Sequence, residues 1–286
     1  MTHRLSQILA LLTFCLLFLG GLVTSTGSGL AVPDWPLSYG TLFPPMVGGV
    51  RFEHTHRVVA SLVGLLSLIL VATVGFEKRG KPVRWLVISS FGLVVLQGIL
   101  GGLTVLHKLP APISIFHACL GPIFFCSVVA LAEVTSPEFG RVAEKGGVGA
   151  DLMSHRQPLI AILATCFVFV QILLGALVRH TGERIWFHVG GAVIAFILIT
   201  VWVSRTLGAS ESKSVARPAL FLGLLVVVEF FLGIGAFAFK RLEGAPETGL
   251  ARILFPTFHQ TVGALLLALC VLVILRSKNF VGPRLR

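Results

Sequence analysis

Acidic residues are scarce in this chain of 286 residues. It has 12 Asp and Glu against 23 Lys and Arg. Its aspartates are Asp34 and Asp151, far apart in the sequence. No aspartate-rich motif exists to hold a magnesium diphosphate, which excludes prenyl transfer of that kind. Charge of either sign is also rare. Only 12% of residues are charged and 55% are hydrophobic, with a mean hydropathy of +0.94. That is too apolar for a soluble domain of this length and suits a multi-span membrane protein. Cys15, Cys119, Cys126, Cys166 and Cys270 all fall inside apolar runs. None pairs at a metal-type spacing and none lies in an expected outer loop, so no disulfide is expected.

The net charge of +11 does not imply a nucleic-acid partner. The basic residues sit in short segments between apolar runs, where membrane orientation explains them. Runs long enough to cross about 30 Å of hydrocarbon occur at 5–24, 52–75, 85–106, 114–134, 158–178, 186–206, 218–239 and 256–275. The first has no clear small-residue cleavage site, so it reads as a span and not as a signal peptide. Eight spans put both termini on one side. That side carries Arg4, Lys78, Arg79, Lys81, Arg84, Arg141, Lys145, Arg156, Arg205, Lys213 and Arg217, and in the tail Arg276, Lys278, Arg284 and Arg286. By the positive-inside rule it is cytoplasmic. The expected fold is an all-α integral membrane protein of eight transmembrane helices.

The two halves resemble one another. "GGLVTSTG" (20–27) ends span 1 and "GALVRHTG" (175–182) ends span 5. "QGILGG" in span 3 has a weaker echo in "EFFLGI" in span 7, and "FHACLG" opens span 4 as "FHQTVG" opens span 8. Two tandem four-helix bundles follow, related by an axis along the membrane normal. Residues 1–140 form the first half and 158–286 the second. Residues 141–157 form a polar cytoplasmic linker with Gly146, Gly147 and Gly149.

Each even-numbered span has a histidine near its outer end: His56, His117, His188 and His259. At 1.5 Å of rise per residue the four lie at similar depth. An imidazole in a span is costly unless partnered, so four in equivalent places point to function. Each half offers two symmetric imidazoles and no cysteine at that depth. A zinc or copper site normally wants three or four close ligands. Two facing imidazoles in a bundle core suit the axial positions of a haem iron. Gly121, Gly190, Gly191 and Gly263 follow the ligands and leave room for a flat macrocycle. Two haem sites are expected, His56/His117 and His188/His259.

The stretch "RFEHTHRVVA" (51–60) gathers polar residues at the mouth of span 2. Glu53, His56 and Arg57 share a helical face, and His54 faces elsewhere. Glu53 has no acidic counterpart in "RIWFHV" of the second half. An acid–base group is then expected beside one haem and not the other, the alternative being that Glu53 only forms a salt bridge with Arg51 or Arg57. Gln97 and Glu229 occupy equivalent mid-span positions, where they bond across helices or line a polar path. His107 and His180 fall at outer span ends, and His3 and His155 on the cytoplasmic side.

The Glu-x-x-His-Arg motif at 53–57 and the loop "TSTGSGLAVPDWP" (24–36) resemble the haem A synthase family. So do the eight spans in two halves with four histidines. The resemblance covers nearly the whole chain. It implies an oxidoreductase of the cell membrane that converts the C8 methyl group of haem O to a formyl group, making haem A for cytochrome oxidase. It implies that His56 and His117 hold the substrate haem, and that His188 and His259 hold a haem b cofactor. Glu53 matches the family's essential glutamate, and Arg57 is expected on a haem propionate. An electron donor is also required. Partners left open are the prenyltransferase that makes haem O and a second copy of the chain. Ser38 stands where many bacterial members carry a loop cysteine, so no redox role for a cysteine pair applies. Two rival readings remain on sequence grounds: a di-haem b cytochrome that only moves electrons, and a haem transporter. The first leaves the one-sided Glu53 unexplained, and the second the four histidines.

Overall fold

The computed structural model describes residues 1–139, 157–209, 213–241 and 249–277. The expected linker with Gly146, Gly147 and Gly149, and the tail from Lys278, lie outside these residues. Eight helices among the described residues are long and apolar enough to cross a membrane. They are α1 (Thr2–Ser25), α2 (Val50–Phe76), α3 (Lys81–Leu106), α4 (Ala111–Val134), α5 (Gln157–Thr181), α6 (Ile185–Ala209), α7 (Lys213–Arg241) and α8 (Leu250–Arg276). Each contains its expected span and mostly runs past it. Hydropathy marks only the segment in hydrocarbon, whereas backbone bonding continues into the polar interface. Pro82 and Pro112 sit in the first turns of α3 and α4, where a missing N–H costs nothing. Buried hydroxyls return to the carbonyl one turn back, as in Thr13 to Leu9, Ser67 to Val63 and Thr206 to Trp202. In lipid that bond replaces the water they would otherwise find.

The helices close into two rings. In the first, α1 packs on α2, α2 on α3, α3 on α4 and α4 on α1; α5 to α8 repeat the same circuit. The rings meet through α4 against α8, α1 against α8 and α4 against α5. The last two contacts exchange under the repeat, so the pseudo-twofold passes between α4 and α8. Each ring has its own apolar core. One gathers Leu9, Val63, Leu70, Phe124, Val128 and Leu131; the other gathers Val168, Ile199, Trp202, Leu222, Leu267 and Val273. On the even helices these residues all follow the histidines, so the cores fill the end of each bundle away from them. Exposed Leu65, Leu68, Ile88, Leu224 and Phe231 face outward, where lipid is the solvent.

Polar contacts fasten the end that holds the termini. Thr2, the amino terminus and Arg79 all converge on the Glu77 carboxylate. The Thr2 bonds, with the amino terminus, hold this carboxyl well below the ordinary range. Between the two bundles, Arg276 grips Glu133 with Nε–Oε1 at 2.9 Å and Nη2–Oε2 at 2.8 Å. Glu133 is 8% exposed, so its charge depends on this bidentate clasp. Arg276→Met should cost about 2–3 kcal/mol, the range for bonds to a charged group. Thermal melting of the purified protein reads it. Glu133→Gln should cost less, because no charge is stranded.

Candidate functional site

The four histidines sit within the first three turns of the even helices, and each ring lies against a glycine of the helix before it. A methyl group on Gly20 of α1 would come within 3.1 Å of His56 Cε1. The same test gives 3.3 Å from Gly101 to His117, 3.2 Å from Gly175 to His188 and 3.0 Å from Gly233 to His259. Such distances are tighter than most real side-chain contacts, so anything larger than glycine would make the ring give by a few tenths of an ångström. Each ring also runs beside the main chain one turn away from its glycine, at Leu16, Gln97, Gln171 and Glu229. All four Nδ1 atoms are fully enclosed; those of His56, His117 and His188 have no hydrogen-bond partner, and that of His259 lies beside the Glu229 carboxylate. The Nε2 atoms are not enclosed in that way.

His188 and His259 face one another with ring centres 5.9 Å apart and planes at 71°. Two imidazoles bound to opposite sides of one metal at about 2 Å each have centres about 6 Å apart. His56 and His117 lie within electrostatic reach of each other in the first ring. Among the described residues no three His, Cys, Asp or Glu side chains gather around one point. The donor set therefore fits a metal that brings its own equatorial ligands, as haem iron does, and does not fit a bare ion.

The second layer around the rings differs between sites. Gln97 donates from Nε2 to the His117 carbonyl at 2.9 Å. Glu229 Oε1 lies 3.0 Å from His259 Nδ1. Gln171 packs onto Gly191. The glycines after the ligands have a use the sequence did not disclose. Gly121, Gly191 and Gly263 give their space to Gln97, Gln171 and Glu229, and only Gly190 stands clear. The room expected there for a macrocycle is taken by side chains. The glycines that touch the rings are Gly20, Gly101, Gly175 and Gly233, two of them carried by the repeat at 20–27 and 175–182.

The histidine ends of the two bundles also differ. Only residues 182–184 join α5 to α6, whereas 26–49 join α1 to α2. Glu53, 3% exposed, anchors that longer loop. Its Oε2 accepts from the Val32 N–H at 2.8 Å, and its Oε1 from Arg57 Nη2 at 2.5 Å. Arg57 donates further to the carbonyls of Val32, Asp34 and Leu37 at 3.0, 2.6 and 2.8 Å. Four of its five N–H groups are thereby engaged. A bidentate clasp on a haem propionate, expected from the sequence, is not open to it, because the loop carbonyls hold the fork. His54 turns from the bundle, as its spacing implies, and bonds through Nδ1 to Ser38 Oγ at 2.9 Å. The Trp35 indole lies on Gly102 of α3, where a side chain would collide with it.

The family comparison matches this frame. The COX15-CtaA model, described as a cytochrome oxidase assembly protein, matches residues 50–187. That span holds Glu53, His56, Arg57 and His117. Over those residues the chain is similar to this family. Heme A synthase of Bacillus pumilus (strain SAFR-032) is 31% identical over 188 residues, 62% of this chain and 59% of that protein. Heme A synthase of Shouchella clausii (strain KSM-K16) is 27% identical over 246 residues, 84% and 78% of the two chains. Heme A synthase of Bacillus cereus (strain 03BB102) is 24% identical over 294 residues, 93% and 90%. The chain thus spans about three-fifths of the Bacillus pumilus relative and nearly all of the Bacillus cereus one.

Two outcomes follow from this geometry. Gly233→Ala should push the His259 ring aside and lower the haem retained on purification, while Gly190→Ala, which meets nothing within 4 Å, should not; pyridine haemochrome assay reads both. The loop should depend on the Asp34 carboxylate. The Gly40 and Tyr39 N–H groups bond to it at 2.8 and 2.7 Å and hold its carboxyl below the usual value of 3.8. A depressed carboxyl stabilises above its unfolded value and is lost as pH falls through the folded one. Protection of the Tyr39 and Gly40 amides against exchange, relative to their intrinsic rates, should therefore hold at pH 5–7 and fall only below about pH 4. Asp34→Ala should lower that protection at pH 5–7.

Proposed function

We propose that this protein is a haem A synthase, oxidising the C8 methyl group of haem O to a formyl group. The observation that carries the reading is a symmetric set of four glycine-seated histidines with Glu53 and its loop on one side only, the second bundle's acid, Glu229, lying instead against an imidazole Nδ1. Two equivalent pairs of imidazoles suit two haems. One site equipped with Glu53 and a loop suits one haem that reacts and one that does not. The alternative of a purely electron-carrying cytochrome gives Glu53 and the loop no purpose.

His56 and His117 hold the substrate haem in the first bundle, and His188 and His259 hold haem b in the second. Haem b, when held there, would relay electrons between the reacting site and an outside redox partner; the oxidation of the methyl group also needs an external oxidant and an oxygen atom from water or dioxygen. The chain's own residues do the rest. Glycines 20, 101, 175 and 233 set the ring orientations. The loop over 26–49 shields the outer end of the first site from water. Glu53 takes up a proton as the methyl group is oxidised, and Arg57 keeps the carboxylate in place. The family resemblance and the basic residues at Lys78, Arg79, Lys81 and Arg84 support a multi-pass protein of the cell membrane with both termini cytoplasmic. The haem sites then lie toward the outer face. The haem O-making prenyltransferase is the proposed neighbour that hands over substrate.

The test is purification after expression with a haem O source, with haems b, O and A extracted and counted. His188→Ala or His259→Ala should lose haem b, and full haem b content in either would remove the ligand assignment. Glu53→Gln keeps shape and bonding but cannot take a proton near neutral pH. It should bind both haems and form haem A at least about tenfold more slowly, the low side of what a positioned acid–base group contributes. Parental turnover in Glu53→Gln would reduce Glu53 to a loop anchor.

A further inference from the structure

The interface between the bundles holds a cation that neither site has yet used. Arg179 lies in the last turn of α5. Its Nη2 donates to the Gly21 carbonyl at 2.9 Å and to Ser25 Oγ at 2.6 Å, both on α1. Its Nη1 reaches the Pro256 carbonyl on α8 at 3.3 Å. The other guanidinium–carboxylate pairs among the described residues are Arg57–Glu53, Arg79–Glu77 and Arg276–Glu133. Arg179 has no such partner there, only neutral oxygens. A guanidinium stays protonated even where it is desolvated. The interface therefore carries a standing positive charge.

Its partners lead to both sites. Gly21 follows Gly20, the seat of His56. Pro256 precedes His259 by three residues, about one helical turn. The helices α1 and α8 are close here: Ser25 Oγ lies 2.8 Å from Thr257 Oγ1, and a methyl group on Gly21 would come within 3.1 Å of Thr257 Cγ2. The repeat gives Arg179 no twin, because the matching position in "GGLVTSTG" is Thr24. Clamping three helices needs no charge, since a neutral side chain can bond to the same oxygens. A half-buried charge without a counter-ion is costly in a membrane and points to a use for the charge itself.

We infer that Arg179 is a positioning residue that raises the reduction potential of the iron held by His188 and His259, while bonding the seat of His56 to the helix of His259. This rests on the reading that these histidines hold haem. Ferric iron carries one more positive charge than ferrous iron. A fixed cation nearby disfavours the ferric form, and weak screening in the bilayer preserves the effect.

Spectroelectrochemical titration of the full-length protein, purified with its haem b, tests this. Arg179→Gln should lower the midpoint potential of the retained haem beyond the error of the titration, with haem content and absorption bands unchanged. Arg179→Lys keeps the charge and loses the fork, so it should melt at a lower temperature and keep a potential near the parent's. Ser25→Asp leaves Arg179 in place and sets a carboxylate beside it, so it should lower the potential as Arg179→Gln does. This variant decides the question if Arg179→Gln does not fold. Equal potentials in parent, Arg179→Gln and Ser25→Asp, or an equal fall in Arg179→Lys and Arg179→Gln, would make Arg179 a clamp and nothing more. Parent protein without any haem b would instead overturn the haem reading itself, and this inference with it.

Discussion

The contact between a histidine ring and a glycine of the preceding helix governs the outer half of both bundles. With no Cβ on Gly20, Gly101, Gly175 or Gly233, the ring occupies the groove that a side chain would fill. That fixes which nitrogen is enclosed. Nδ1 is sealed against the neighbouring helix in all four cases, and Nε2 is not enclosed in that way. The same contact explains where the cores lie. Side chains such as Phe124, Val128, Ile199 and Val273 fill the end opposite the rings. Each bundle is thus a packed end carrying a ligand end, a division that cofactor-binding helix bundles share.

Duplication alone would give two identical sites, so the chemistry has to come from where the copies diverge. Glu53 has Ile185 near its repeat position, and Arg57 has Val189. The loop at 26–49 faces a short connection at 182–184. Gln97, bonded to a main-chain carbonyl, is replaced by Glu229, 3.0 Å from a ring nitrogen. Thr24 is replaced by Arg179. Every one of these differences lies within about a turn or two of a histidine. The inner ends and the ring-to-ring contacts keep the symmetry. Selection for a common scaffold and for two unlike sites has acted on separate layers of the same helices.

The spans were legible in the sequence because hydrocarbon imposes a length and a composition on anything that crosses it. The histidines were legible because equal depth follows from spacing alone. Their glycine seats were harder to see. Helix-pair contacts are set by the rotation of one helix against the next, which a single apolar sequence leaves open. The weak apolar moment around such helices leaves no periodic stripe to follow. The glycines after the ligands were given the wrong purpose for that reason: Gly121 and Gly263 face polar side chains of a neighbouring helix. Arg57 is the plainest case. Its spacing to Glu53 was visible, yet three of its four bonds go to loop carbonyls whose positions only the folded loop determines.

Those carbonyls make the loop and the acid a single mechanical unit. Glu53 holds Val32 through its N–H, and Arg57 holds the Val32 carbonyl along with those of Asp34 and Leu37. Moving the loop away would strip Arg57 of three acceptors and leave Glu53 with one partner fewer. Both groups are poorly exposed, at 3% for Glu53 and 14% for the Arg57 side chain. Unpaired charges so placed are costly. The loop is therefore held in place by the charge of the residue it covers, and the carboxylate is aimed by the loop it anchors. A carboxylate held this way is positioned only while the loop is in place.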